Sequence, residues 1–122
     1  MILVDTSLWI DHLHAAVRSL SDALEEAAVL AHPLVIGELA CGRIANRRTV
    51  LDLLSVLPLS VIATDSEALR LIEVHRLYGK GLAYVDVHLL ASALLTDGAK
   101  LWTRDRTLAA AAAQLGVGMA SR

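Results

Sequence analysis

A chain of 122 residues fits one ordinary domain, and 56% hydrophobic against 20% charged residues, with only 2 Pro and 7 Gly, excludes disorder, collagen-like repeats and flexible-linker architectures. A net charge of −2 and a pI near 6.2 exclude a whole-protein basic field for nucleic acid, although 9 of the 11 basic residues are Arg and several cluster locally. The mean hydropathy of +0.56 comes without an apolar run of the roughly 18 residues that a membrane span needs, and Met1-Ile2-Leu3-Val4 meets Asp5 without a basic leader, so the expectation is a cytoplasmic protein that neither enters a membrane nor carries a secretory signal.

Leu (24) and Ala (20) dominate and Phe is absent, so strong helix formers do much of the packing and helices are expected to outweigh strands. Ile2-Leu3-Val4 is an unbroken apolar run, the pattern of a short strand buried on both faces, with Asp5 at its C-terminal end. Helical spacing follows over Ser7–His14 and Ser19–Ala28. Val29–Ala31 reads as a second strand, Pro33 as the first turn of a helix running to about Gly42, and Arg47–Leu57 as the next helix. The β-branched stretch Leu59–Ala63 predicts a third strand. Thr64 with Glu67 three residues on forms a capping box for a helix that ends before Gly79. A further helix is expected over Tyr84–Leu95, a strand over Lys100–Thr103, a helix over Thr107–Leu115 stopped by Gly116, and a last strand over Val117–Ala120. Strands alternating with helices predict an α/β domain with a mostly parallel sheet, spanning 1–122 without linker or repeat.

Several features point to packing rather than chemistry. Cys41 stands alone among small apolar neighbours and reads as a packing residue. His12, His14, His32, His75 and His88 have no zinc-site spacing and read as surface or satisfied core. Gly79-Lys80-Gly81 lacks the rest of a phosphate loop, while Trp9 and Trp102 fall in apolar periodic segments as core residues.

Most acids also have ordinary places: Asp22, Glu25 and Glu26 on a solvated helix face, Asp65 and Glu67 at a helix start, Asp97 in a turn. Four interrupt core-forming sequence instead. Asp5 follows the first strand, Glu38 is the only charge between Leu34 and Gly42, Asp86 is the only acid between Leu82 and Thr96, and Asp105 follows the strand ending in Thr103. A buried carboxylate needs a cation, a hydrogen-bond network or a raised pKa, and no Lys or Arg lies within the stretches around Glu38 or Asp86. Ligands of parallel sheets bind at the C-terminal strand ends, where Asp5 and Asp105 are placed and where Glu38 and Asp86 can converge. Hard oxygen ligands without a matched base describe a Mg²⁺ or Mn²⁺ site and phosphodiester or phosphoryl-transfer chemistry. Singly, the acids keep other readings: Asp105 as a helix cap, Asp5 as a strand-end turn residue, Asp86 as a first-turn acid favoured by the helix dipole.

The segments Asp5-Thr6-Ser7-Leu8-Trp9-Ile10-Asp11, Gly37-Glu38-Leu39-Ala40, Gly81 to Ala91 (GLAYVDVHLLA) and Leu101-Trp102-Thr103-Arg104-Asp105-Arg106, in this order, resemble the PIN-domain ribonucleases of the VapC toxin type. The resemblance covers nearly all of the chain. It implies an α/β/α sandwich whose acidic quartet Asp5, Glu38, Asp86 and Asp105 binds Mg²⁺ or Mn²⁺ and hydrolyses single-stranded or looped RNA. Asp5 and Asp86 match the most consistent metal ligands, Glu38 and Asp105 match acids acting directly or through water, and Ser7 and Thr103 match hydroxyls beside the site. Many relatives carry another acid just after the position of Asp105, where this chain has Arg106 and Thr107, which leaves one ion or two open. Arg43, Arg47, Arg48, Arg104 and Arg106 are candidates for flanking RNA phosphates, since guanidinium offers bidentate donors. The resemblance further implies a cognate VapB-type antitoxin and a homodimer.

Competing classes fit less well. A haloacid-dehalogenase-like phosphatase wants an acid two residues after Asp5, where Ser7 stands, and a receiver domain wants a lysine at a late strand's C-terminal end, whereas Lys100 precedes its strand. A binding-only PIN-like module remains the alternative to the nuclease.

Overall fold

Ile2–Val4 (β1) is the centre of a three-stranded parallel sheet, flanked by Val29–Leu30 (β2) and Lys100–Trp102 (β3) in the order β2-β1-β3. The computed structural model describes residues 1–119. Side chains along a strand alternate between faces, yet Ile2, Leu3 and Val4 are all buried, so both faces of β1 are covered by helices. That is the expected α/β/α arrangement. The covering helices are Thr6–His14 (α1), Arg18–Glu25 (α2), Pro33–Cys41 (α3), Arg47–Ser55 (α4), Asp65–His75 (α5), Tyr84–Leu95 (α6) and Arg106–Gln114 (α7). Leu8, Trp9, Leu20, Leu39, Leu54, Leu89, Leu90 and Leu108 fill the space between layers. Leucine does the packing that a Phe-free sequence left to it, and each such side chain contributes about 1.5–3 kcal/mol on burial.

The ends of elements follow local chemistry. The capping box at α5 is complete: Thr64 Oγ1 accepts from the Glu67 N–H at 3.1 Å, and Glu67 Oε1 accepts from the Thr64 N–H at 2.9 Å. The second helix stops at Glu25, short of the expected Ala28, because Ala27 turns left-handed with φ of 54°. Gly79 and Gly81 adopt φ of +69° and +82°, so that pair makes the turn before α6.

Four expectations need correction. The segment 59–63 is no strand; it touches the sheet only through the single bridge Ala31↔Leu59. Pro58 has no N–H, and beyond the Ser60 N–H, which donates to the Ala31 carbonyl at 3.0 Å, two amides are claimed by side chains of α6 and its end. Val61 N–H donates to Thr96 Oγ1 at 2.8 Å and Ala63 N–H to Ser92 Oγ at 3.1 Å, leaving Val61 and Ile62 exposed. The expected final strand is likewise one bridge, Leu101↔Gly118, and Ala120 lies outside the described residues. Cys41 is exposed rather than packed, because Leu39 takes the buried side of α3; it borders an open depression with Pro33, Leu34, Gly37, Glu38 and Val85. Trp9 is core as expected, while Trp102 is only half-buried against it.

Two histidines are buried. His32 Nδ1 accepts from the Leu34 N–H at 3.1 Å, which puts the ring proton on Nε2, 3.0 Å from Ser92 Oγ. Burial, and secondarily the charge of His88, hold the His32 pKa below its ordinary value of 6.5. Because the folded pKa lies below the unfolded one, the stability from neutral His32 is complete above about pH 6.5 and is lost as pH falls toward the folded value. Urea unfolding between pH 7.5 and 5.5 should therefore show falling stability, with a shallower slope in His32→Gln. An unchanged slope would show that His32 is not the titrating group.

Candidate metal centre

The four suspect acids come from four separate parts of the chain, each set at an element boundary or on a short helix. Asp5 ends β1 and caps α1; Glu38 lies on α3; Asp86 is in the first turn of α6; Asp105 follows β3 and caps α7. Asp5 and Asp105 thus stand at the C-terminal ends of neighbouring parallel strands, the edge at which such sheets bind ligands.

Asp5 is the best supported of them. Its buried carboxylate accepts from the Leu8 N–H at 3.3 Å and from the Ser7 hydroxyl at 2.6 Å through Oδ1, and from the Thr103 hydroxyl at 2.7 Å through Oδ2. Those hydroxyls are in turn fixed by the β3–α7 connection. Ser7 Oγ accepts from the Arg104 N–H at 3.0 Å, and Thr103 Oγ1 accepts from the Asp105 N–H at 2.9 Å. With each hydroxyl proton given to Asp5, the 3.3 Å approach of Ser7 Oγ to Thr103 Oγ1 is left without a proton to share. Ser7 and Thr103 therefore tie Asp5 to the loop that carries Asp105.

The other three acids each use one oxygen. Glu38 Oε1 accepts from the Thr6 hydroxyl at 2.6 Å, Asp86 Oδ2 from the Ala83 N–H at 2.9 Å, and Asp105 Oδ1 from the Leu108 N–H at 2.9 Å. The second oxygen of each makes no protein hydrogen bond among the described residues. The capping roles expected for Asp105 and Asp86 are real, and they leave a coordinating atom over. Thr6 escaped the sequence reading, although its place beside Asp5 was the available signal.

Electrostatics brings the quartet together most clearly. The Asp86 pKa is raised first by burial, against the lowering effect of the Ala83 N–H, and then by the charges of Asp105, Asp5 and Glu38. The charges that raise Asp86 are all carboxylates. Such a set, with hard oxygen donors and with no lysine, arginine or histidine ion-paired to it among the described residues, suits Mg²⁺ or Mn²⁺. Among the described residues no three His, Cys, Asp or Glu side chains already close into a coordination shell. Three of the carboxylates have an oxygen to turn inward, so the donor chemistry fits the ion.

Residues 2–114 match the PIN domain. The chain is also 52% identical over 120 residues to Ribonuclease VapC32 of two strains of Mycobacterium tuberculosis, CDC 1551 / Oshkosh and ATCC 25618 / H37Rv, covering 98% of this chain and 97% of each relative. The chain belongs to the VapC family of PIN-domain proteins. The resemblance read from the four motifs is thereby borne out over nearly the whole chain.

The candidate arginines of this VapC-family chain divide in two. Arg47 Nε donates to the Ala40 carbonyl at 3.0 Å, Arg48 pairs with Asp52 at 3.2 Å one turn on, and Arg104 Nε lies 3.5 Å from Asp11. Arg43 borders a small cavity with Ile10, Leu13 and Ile44, and Arg106 starts α7; neither has an ion-pair partner among the described residues.

Proposed function

We propose that this VapC-family chain is the toxin of a toxin–antitoxin pair, an endoribonuclease that hydrolyses RNA phosphodiester bonds with Mg²⁺ or Mn²⁺. One observation carries the reading: carboxylates on three other parts of the chain lie within electrostatic reach of Asp86, whose pKa is raised first by burial and then by Asp105, Asp5 and Glu38. The name ribonuclease borne by relatives 52% identical supports RNA as the substrate.

A bound divalent ion would supply polarisation of a phosphate oxygen and a lowered pKa for a water poised for in-line attack. Asp5 and Asp86 are assigned as its ligands, with Asp5 held rigid by Ser7 and Thr103. Glu38, whose second oxygen makes no protein hydrogen bond among the described residues, and Asp105 are assigned to orient the attacking water and accept its proton, a role that needs hydrogen-bond reach. Arg43 and Arg106, without an ion pair among the described residues, are better placed than Arg47, Arg48 and Arg104 to meet RNA phosphates, since the latter must first give up a protein partner. The partners proposed are a VapB-type antitoxin and a second copy of the chain. Exposed Leu59, Val61, Ile62, Leu69 and Val74 leave apolar surface for such contacts. No helix of the described residues is long and apolar enough to cross a membrane.

The test is incubation of purified protein with total cellular RNA in Mg²⁺, Mn²⁺ or EDTA, followed by mapping of cut ends. The expected result is discrete cleavage that EDTA abolishes and the co-expressed antitoxin suppresses. Folded protein that cuts no RNA with either ion would overturn the nuclease reading in favour of a binding-only PIN-domain module.

A further inference from the structure

The first turn of α6 carries Asp86 yet is poorly capped. Its N-cap residue, Ala83, has no side-chain acceptor, and the one side-chain bond there is Asp86 Oδ2 accepting from the Ala83 N–H at 2.9 Å. A carboxylate that turns toward a cation strains that bond, so the turn needs a second anchor to keep its orientation.

Such an anchor lies on the opposite side of the helix. Tyr84 and His88 are four residues apart and share a face, with their rings edge-to-face at 4.7 Å, whereas Asp86 is midway between them and projects the other way. The Tyr84 hydroxyl donates to Asp65 Oδ1 at 2.7 Å, and His88 Nε2 is 2.9 Å from the same oxygen. A carboxylate only accepts, so Nε2–H is the donor. His88 is buried, and its Nδ1 has no partner among the described residues, which makes Asp65 the ring's one polar anchor. Asp65 itself is the first residue of α5, directly after Thr64, and that helix end is locked by both bonds of the Thr64–Glu67 capping box. One oxygen on a stiff helix end therefore grips α6 at two points, one on either side of Asp86.

We propose that Asp65, Tyr84 and His88 form a clamp that fixes the rotation of α6 and so presents Asp86 to the ion. This rests on the reading of Asp86 as a ligand. The three are positioning residues and touch neither metal nor RNA. Partners that orient metal ligands typically change metal affinity by about 10- to 100-fold when removed.

The experiment measures Mn²⁺ affinity by electron paramagnetic resonance, with RNA cleavage across a Mn²⁺ series and urea stability in EDTA. It uses the full chain as wild type, Asp65→Ala, Asp65→Asn, Tyr84→Phe and Asp86→Asn. Asp65→Ala is expected to weaken Mn²⁺ affinity by about 10-fold or more, with cleavage recovering toward the wild-type kcat at saturating Mn²⁺. Asp65→Asn, whose Oδ1 still accepts both bonds, should recover most of the lost affinity. Tyr84→Phe, which removes one hydroxyl, should weaken affinity several-fold and carries the test if Asp65→Ala fails to fold. Wild-type affinity in Asp65→Ala or Tyr84→Phe, where Asp86→Asn has lost it, overturns the clamp and leaves the metal site standing. Asp65→Asn as weak as Asp65→Ala overturns it too, since charge rather than geometry would then be acting. Undiminished Mn²⁺ affinity in Asp86→Asn overturns the site and the clamp together.

Discussion

Asp86→Asn should abolish RNA cleavage while leaving the fold intact and the metal-free protein at least as stable as wild type. The amide oxygen can still accept from the Ala83 N–H, so the start of α6 keeps its bond. The charge removed is one that burial and three neighbouring carboxylates all disfavour, so its loss relieves repulsion in the absence of metal. Asn binds a hard cation poorly, and the ion's contribution to the transition state disappears with it. A loss of about a thousandfold in kcat/KM, or about 4 kcal/mol, is the expected scale. Thermal melts separate the two effects. With metal at a hundredfold excess over its Kd, wild type should gain about 2.7 kcal/mol over EDTA, and the variant should gain much less. A variant that keeps both the metal-induced shift and the cleavage rate would make Asp86 an ordinary helix-start acid.

Ser92→Ala, the removal of a single oxygen, is expected to cost about 2–4 kcal/mol of stability. Ser92 is fully buried on α6, and its Oγ receives the Ala63 N–H at 3.1 Å and faces His32 Nε2 at 3.0 Å. The substitution leaves two buried donors unpaired, each carrying a desolvation penalty, whereas the hydroxyl itself contributes little volume. The effect should appear as a lower urea midpoint with an unchanged m-value. Ser66→Ala, at an exposed position in the first turn of α5, should stay within about 0.5 kcal/mol of wild type. A Ser92→Ala midpoint equal to that control would mean that segment 59–63 is not held by this residue.

Those two positions also show what the sequence could and could not convey. Periodicity and caps were legible: α6 runs over the expected Tyr84–Leu95, Thr64 starts α5, and Pro33 starts α3. Such signals are local, so they survive without tertiary context. Segment 59–63 misled because its β-branched residues fit a strand, while the competing acceptors, Ser92 and Thr96, lie about 30 residues downstream on another element. For the site, acids standing in apolar stretches were legible as misplaced charges, which singled out Asp5, Glu38, Asp86 and Asp105. Their supports were legible only in part. Ser7 and Thr103 came through the family resemblance, but Thr6 and the Asp65–Tyr84–His88 cluster depend on contacts across 19 to 32 residues that no spacing rule encodes. Asp65 read as an ordinary first-turn acid because that is also what it is.

Mn²⁺ binding tests most directly whether these carboxylates form one divalent-ion centre that drives RNA cleavage. Titration of the metal-free protein followed by electron paramagnetic resonance should show saturable binding in wild type, displaced by Mg²⁺, at concentrations that also restore RNA cleavage. In Asp86→Asn both should be lost together. A folded wild-type protein that cleaves RNA undiminished in EDTA, or that binds Mn²⁺ equally well with Asn at position 86, would contradict such a centre.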